Sequence, residues 1–231
     1  MKKYCCLSIL LCSLLGHCAA QEGNALLQKV RDKLNLVDNY TANGVMKTNI
    51  SFLRVPQAEV TVYFRKPDKM KIRNDKGISF VPKGAVTISL NSIITGNNFT
   101  VVDGGTESLD NKQVRVLKLL PADENSNVIL STVYINEKAA VIVKAKTTTR
   151  DNGTYELHMQ YGRFISYGLP DRVVFIFNTR DYKMPKGVTF DYGDARVQTP
   201  GADGNKDQRG QVEITYSSYL VNKGVSDDVF K

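Results

Sequence analysis

The sequence predicts a mainly β, α+β protein: one curled antiparallel sheet forming an open half-barrel, plugged by an N-terminal helix and a short helical lid. Three observations predict it. Apolar residues recur at helical spacing once, near the start, and after that the period switches to two and hardly switches back. Turn signals separate the alternating runs at short intervals, with no linker long enough to divide the chain and no internal repeat. A strongly twisted sheet of roughly ten strands tends to curl on itself.

The helix comes first. Asn24 is placed to cap it, and Leu26, Leu27, Val30, Leu34 and Val37 share one side, with Lys29, Arg31, Asp32 and Lys33 on the other. It is expected to end near Asn39-Tyr40. Val60, Val62 and Phe64 then alternate with Thr61 and Tyr63. Tyr155, Leu157, Met159 and Tyr161 alternate with Glu156, His158 and Gln160, and Val212, Ile214 and Tyr216 with Glu213 and Thr215, giving strands with one wet face. Denser apolar runs at Val114–Leu120, Val128–Ile135, Val141–Val143 and Val173–Phe177 read as strands covered on both faces. Asn136-Glu137-Lys138, Asp151-Asn152-Gly153 and Gly168-Leu169-Pro170-Asp171 read as turns. Two stretches break the pattern. Ser89–Thr95 carries Leu90, Ile93 and Ile94 at spacings that put them on one side of a short helix, and Pro200–Gly210 reads as a surface loop.

The first twenty residues set the compartment. Lys2 and Lys3 precede an apolar run from Cys5 to Leu15, and Cys18-Ala19-Ala20 supplies small residues, the pattern of a secretory signal over residues 1–20 with the domain at 21–231. The run is far shorter than the roughly twenty residues that cross a bilayer. Two processing outcomes stay open: cleavage after Ala20, leaving a free chain in the periplasm of a Gram-negative bacterium, or lipidation of Cys18 within Leu15-Gly16-His17-Cys18, leaving an outer-membrane anchor. All four cysteines, Cys5, Cys6, Cys12 and Cys18, lie in this segment, so the mature domain has no disulfide to rely on and must be held by its core. About 210 residues suffice, since a domain of that size buries roughly 70% of its unfolded surface.

Removing the leader lowers the formal net charge from +8 by its two lysines. The excess is spread out except in Arg65-Lys66-Pro67-Asp68-Lys69-Met70-Lys71-Ile72-Arg73, which reads either as a solvated face or as a weak attractor of anionic lipid or an acidic partner. Export argues against nucleic acid. Catalysis has little to stand on: His158 is the one histidine of the mature chain, no cysteine remains, and no HExxH, GxSxG, P-loop or GxGxxG motif occurs. Asp103, Glu107, Asp110, Asp123 and Glu124 could form a carboxylate pair but sit in turn-like segments, and Gly104-Gly105 and Gly201–Gly204 read as turn glycines. The Asn-x-Ser/Thr sequons at Asn39, Asn49, Asn98 and Asn152 carry little weight under a bacterial signal. No enzyme activity, metal or cofactor is therefore expected, and the chain reads as a monomeric binding protein.

The order of these signals resembles the LolA/LolB-like lipoprotein-carrier family. The resemblance rests on the helix ending in Tyr40, a strand through Gly44–Phe52, the run Phe64 to Ile72, Gly153-Thr154-Tyr155 with Tyr161 and Leu169-Pro170-Asp171, and the closing Tyr216, Tyr219 and Val221-Asn222-Lys223-Gly224-Val225-Ser226-Asp227-Asp228-Val229-Phe230. It implies an open β-barrel whose apolar interior shields the acyl chains of lipoproteins in transit to the outer membrane, between an inner-membrane transporter complex and an outer-membrane acceptor. The same fold also resembles a lipid-binding envelope stress sensor and an inner-membrane regulator, so a sensor or accessory subunit is the alternative. Residues Val81–Asp103 read as strands with a single helical turn. The expected hydrophobic lining is Phe64, Met70, Leu90, Ile93, Ile94, Tyr155, Met159, Tyr161, Phe175 and Phe177, with core filling as the competing role for the same side chains.

Overall fold

A computed structural model describes residues 22–50, 53–54, 57–67, 69–74, 99–151, 153–178 and 209–230. Helix α1 (residues 22–34) is followed by strands β1 (Asn39–Ile50), β2 (Leu53–Arg54), β3 (Ala58–Arg65), β4 (Lys69–Asn74), β5 (Phe99–Leu109), β6 (Lys112–Pro121), β7 (Val128–Asn136), β8 (Val141–Thr149), β9 (Gly153–Gln160), β10 (Arg172–Asn178) and β11 (Arg209–Val221). Short 3-10 turns cover Ile165–Tyr167 and Asp227–Phe230.

The strands form one antiparallel sheet in the order β4-β3-β1-β11-β10-β9-β8-β7-β6-β5, with β2 paired to β1. β4 and β5 are its edges and do not pair with each other, so the curled sheet is an open half-barrel. The one long-range step in strand order pairs β1 with β11, the first strand with the last.

Alternation decides which side chains face inward. Val60, Val62 and Phe64 of β3, Tyr155, Leu157 and Met159 of β9, and Val212, Ile214 and Tyr216 of β11 join one buried cluster with Leu26, Leu27 and Val30 of α1. Leu27 and Val30 keep only 1% and 2% of their surface. At roughly 25 cal/mol per Å2 of apolar surface, each such side chain contributes about 1.5–3 kcal/mol. A helix of α1's length is marginal alone, so it exists because this stripe is buried.

Several expectations are corrected. Asn24 lies inside α1 rather than at its cap, because the helix is already formed from residue 22. The helix also stops earlier, at residue 34, since Asn39 and Tyr40 are committed to β1, opposite Arg65 and Phe64 of β3. The run Val128–Ile135 is not covered on both faces: its burial alternates, Ile129 is 49% exposed, and Tyr134 faces out beneath the Lys144 ammonium at 5.5 Å. The runs in β6 and β10 do bury neighbours on opposite faces, Val116 with Leu117 and Val174 with Phe175. Asp103, Gly104, Gly105 and Glu107 lie in β5 and not in a turn; the glycines form a bulge between Asp103 and Thr106, where Gly105 takes a φ of 81° that a side chain would strain. Arg209 and Gly210 belong to β11 instead of a loop.

The basic run is an internal fastening more than a free charged face. Arg65 and Lys69 both bind Asp227, Arg65 also donates to Val225 O at 3.2 Å and Arg73 to Val229 O at 3.4 Å, and the Phe230 ring lies under Arg65 and Lys69. The C-terminal turn is thereby laid along edge strand β4. Lys66 pairs with Asp38 at 3.1 Å.

Candidate functional site

The concave face of the half-barrel is the candidate site, and strand register sets its layout. One inward row runs Val101, Leu119, Ser131, Thr147, Tyr155, Phe177 and Gly210 across β5 to β11. The next runs Asp103, Leu117, Val133, Ala145, Leu157, Phe175, Val212 and Thr48. Leu117, Leu119, Val133 and Ala145 are fully buried. The small residues in mid-sheet, between Leu119 and the aromatics of β9 and β10, leave room for whatever lies on them.

Two aromatic groups stand at opposite ends of the face. At the end where β1 starts, Tyr40 stacks on Phe64 at 5.2 Å and meets Tyr219 at 5.3 Å, and Tyr219 in turn touches Tyr216 and Phe164 at 5.0 and 4.8 Å. At the other end, Phe175 stacks on Phe177 at 5.2 Å and meets Tyr155 at 5.5 Å. The Phe177 ring lies over Gly210, where a Cβ would come within 2.5 Å of it.

α1 crosses this face. Glu22 and Gly23 begin it beside Arg115, Leu117, Val101 and Asp103, and Val30, Lys33 and Leu34 end it against Ala140, Val141, Ile142, Tyr161 and Gly168. Between its last turn and those residues lies a narrow cleft of about 190 Å3, including space open to solvent. Lys33 donates to Ala139 O across its mouth.

The expected lining residues fall as follows. Phe64, Tyr155, Met159, Phe175 and Phe177 are all in the inward cluster, each with under a tenth of its surface exposed, and Met70 and Tyr161 pack on its border. Phe64 and Met70 belong to the end where β1 starts, Tyr155, Phe175 and Phe177 to the opposite end; they share a face without meeting at one point. Leu90, Ile93, Ile94 and Cys18 lie outside the described residues, as does most of the expected loop at 200–210.

The electrostatics are those of a binding surface. Burial pushes the hydroxyls of Tyr40, Tyr161, Tyr216 and Tyr219 well up and that of Tyr155 up to about 12, so all stay neutral. Tyr161 donates to Ile142 O and Tyr219 to Pro170 O, both at 2.8 Å. The charged group on the face is Arg115, bound by Asp103 and lying 3.6 Å from Glu22. His158 is on the outer face, 2.9 Å from Glu156. Among the described residues no three His, Cys, Asp or Glu side chains are grouped to hold a metal, and no helix there is long and apolar enough to cross a membrane.

Sequence reasoning missed Ser131 and Thr147, buried hydroxyls in the middle of the apolar face, and Tyr40, Phe164 and Tyr219 of the first aromatic group. Ser131 had a signal: it occupies the same parity in β7 as Val133 and Ile135, which face the core.

A single open antiparallel half-barrel wrapped round one helix defines the class, and this is the LolA-like fold. No sequence family profile matches the chain, and no curated protein matches it in sequence. Among solved structures it is similar to a DUF1329 family protein from Desulfovibrio piger (TM-score 0.57, 13% identity, covering 92% of this chain and 97% of that one). It is also similar to an outer-membrane lipoprotein-sorting protein domain from Vibrio parahaemolyticus (0.54, 10%, 92% and 97%) and to a LolA superfamily protein from Nitrosomonas europaea (0.53, 10%, 90% and 97%). At these identities the likeness is one of fold.

Proposed function

We propose that the mature chain is a periplasmic carrier that shields the acyl chains of lipoproteins, or of a comparable lipid, on the concave face of its half-barrel during transport to the outer membrane. The observation that carries this reading is the face itself, apolar across ten strands with neutral tyrosines and one neutralised arginine. Each CH2 taken out of water is worth about 0.8 kcal/mol, so a two-chain ligand needs no polar site to bind firmly. The leader, cleaved after Ala20, delivers the chain to the periplasm, and the fold shared with a lipoprotein-sorting domain supports the cargo class.

Purified mature protein is expected to carry acylated molecules that mass spectrometry detects after solvent extraction, and to bind an apolar fluorescent probe that such molecules displace. Finding neither would end the carrier reading. The small size of the cleft beside α1 favours a second reading, a lipid-binding sensor or accessory subunit. Normal lipoprotein sorting in a deletion strain, with one stoichiometric membrane-protein partner in a pull-down, would select it. Fatty-acid labelling of the chain would place Cys18 processing ahead of cleavage after Ala20.

A further inference from the structure

We infer that the outer face of the β3–β4 hairpin is a docking surface for an acidic segment of a partner protein that carries an aromatic side chain, and that the chain's own C-terminal turn, Asp227–Phe230, rests there as a stand-in. This surface is on the other side of the sheet from the concave face, and its role does not depend on what that face carries.

Register gathers the cations. Val62 and Phe64 face the core and pair with Ile72 and Met70, which pack against it, so Arg65, Lys69, Lys71 and Arg73 stand on the outer side with Tyr63 among them. Glu59, at the far end of β3 from Arg65, is the one carboxylate that the described residues of the hairpin add to this side. The stand-in shows what such a surface takes. Asp227 gives its carboxylate to both Arg65 and Lys69, and the backbone oxygens of Val225 and Val229 accept from Arg65 and Arg73. The Phe230 ring lies 5.4 Å from the Arg65 guanidinium and 5.9 Å from the Lys69 ammonium. A carboxylate, peptide carbonyls and a ring facing cations are together the features of a polypeptide. An anionic lipid surface would match the charge and supply neither the ring nor the peptide carbonyls.

The turn is held in a way that lets it be replaced. None of residues 222–230 is buried, and the Asp227 side chain is 65% exposed. Ion pairs and cation–π contacts so open to water are individually weak. The fastening of β11 to the start of β1 ends at Gly224, whose N–H donates to Asn39 Oδ1 at 2.8 Å, so the turn beyond it can leave with that fastening intact. Gly224 itself has a φ of 88° and open space where a Cβ would stand, a joint on which the turn can swing. A tethered segment acts at an effective concentration on the order of millimolar. It therefore keeps weak anions off the strip and yields to a partner that matches the same cations more fully.

The test adds a fluorescein-labelled peptide with the sequence of residues 223–231 to the mature chain. In the wild type the stand-in competes with it. Asp227→Asn/Phe230→Ala removes the two anchors of the stand-in and should tighten peptide binding about tenfold or more. Adding Arg65→Gln/Lys69→Gln should abolish the gain, and a peptide with both aspartates changed to asparagine and its phenylalanine to alanine should bind neither form. Equal binding to the wild type and the released variant, no binding to the released variant at about millimolar peptide, or a gain that survives the loss of Arg65 and Lys69 overturns the inference. Should the variant lacking Arg65 and Lys69 not fold, amide shifts in the released variant decide: peptide-induced changes along β3 and β4 support the surface, and changes elsewhere reject it. Phosphatidylglycerol vesicles that displace the bound peptide would overturn it in favour of a lipid surface. Binding of an apolar probe, which tests the carrier reading, should be the same in all these variants; a change in the released variant would make the turn part of the lipid face and overturn the separate surface.

Discussion

Replacing Asn222 by alanine tests how α1 is seated. The Asn222 side chain accepts from the backbone N–H groups of Asp38 and Asn39 at 2.8 and 3.3 Å and donates to Leu36 O at 2.8 Å, so one amide ties the exit of the helix to the end of β11. Its own φ of 56° lies in the left-handed region, which asparagine tolerates and alanine resists by about 1–2 kcal/mol. The three hydrogen bonds are exposed, so water partly replaces them; at the low end of about 0.5–1.5 kcal/mol each they total roughly 1.5 kcal/mol. Asn222→Ala should therefore lose about 3 kcal/mol in urea unfolding. Asn222→Gly, which relieves the φ but not the lost bonds, should lose slightly less, its chain entropy offsetting part of the relief. The loss must also be local. Hydrogen exchange should quicken at residues 33–40 and leave the middle of β6 to β8 unchanged. An alanine variant within about 0.5 kcal/mol of the wild type, or one whose exchange rises evenly over the sheet, would refute the clamp.

Three further outcomes follow from contacts elsewhere. Gly210→Ala would put a Cβ 2.5 Å from the buried Phe177 ring, which cannot swing away because it stacks on Phe175; the expected loss is about 1–3 kcal/mol in urea unfolding, and Phe177→Leu in the same chain should recover part of it. The hydrogen bonds from Arg65 and Lys69 hold the Asp227 carboxyl down to about 2, so docking of the C-terminal turn is complete above the ordinary carboxylate range and weakens as pH falls through about 2. The Phe230 ring proton shifts should report this release, and Asp227→Asn should show them already released at neutral pH. Arg163 donates to Asp171 Oδ1, Ser217 O and Tyr216 O, all within 2.9 Å, so Arg163→Met should cost about 1–3 kcal/mol in thermal unfolding, and Arg163→Lys, which lacks the forked geometry, should recover less than half of it.

What was legible in the sequence is what periodicity carries. The stripe Leu26, Leu27, Val30 and the alternation in β3, β9 and β11 gave the right inward faces, because burial of one side of a strand leaves a period of two that no other force produces. The distant segments that carried the family resemblance are now seen to touch. Arg65 and Lys69 hold Asp227, and Tyr40, stacked on Phe64, meets Tyr219. Continuous apolar runs were harder to read. Val128–Ile135 and Val173–Phe177 look alike in composition, yet only the second is buried on both sides, because Arg172, Glu213 and His158 lie around Val174 while Ile129 has no such cover. The bulge at Gly104-Gly105 and the clamp at Asn222 were unreadable because a positive φ leaves the same Gly or Asn signature in a turn as in a strand or at its end. The candidate site was legible as a face and not as a point. Parity assigns Phe175 and Ser131 to the interior, while their neighbours across the sheet depend on register.

The polar ties hold the helix in the plugging position expected of it. At the end of the sheet where β1 starts, Asn222 clamps residues 36–39, Lys66 pairs with Asp38, Arg163 joins the turn after β9 to β11, and Tyr219 reaches Pro170. Add Leu27 and Val30, almost wholly buried, and lifting α1 would break several hydrogen bonds as well as expose core. A plug fixed so firmly is a poor candidate for displacement by a ligand whose only currency is apolar area. The opposite end of the face, where β4 and β10 end and β5 and β11 begin, carries a different set of side chains. It holds Phe175, Phe177 and Tyr155, and the buried Thr48 Oγ1, which has no hydrogen-bond partner among the described residues. The buried oxygens without a partner among the described residues stand at both ends of the face, Thr48 Oγ1 at this one and Asp171 Oδ2 beside the clamped turn, so unmet hydrogen bonding alone marks out neither end.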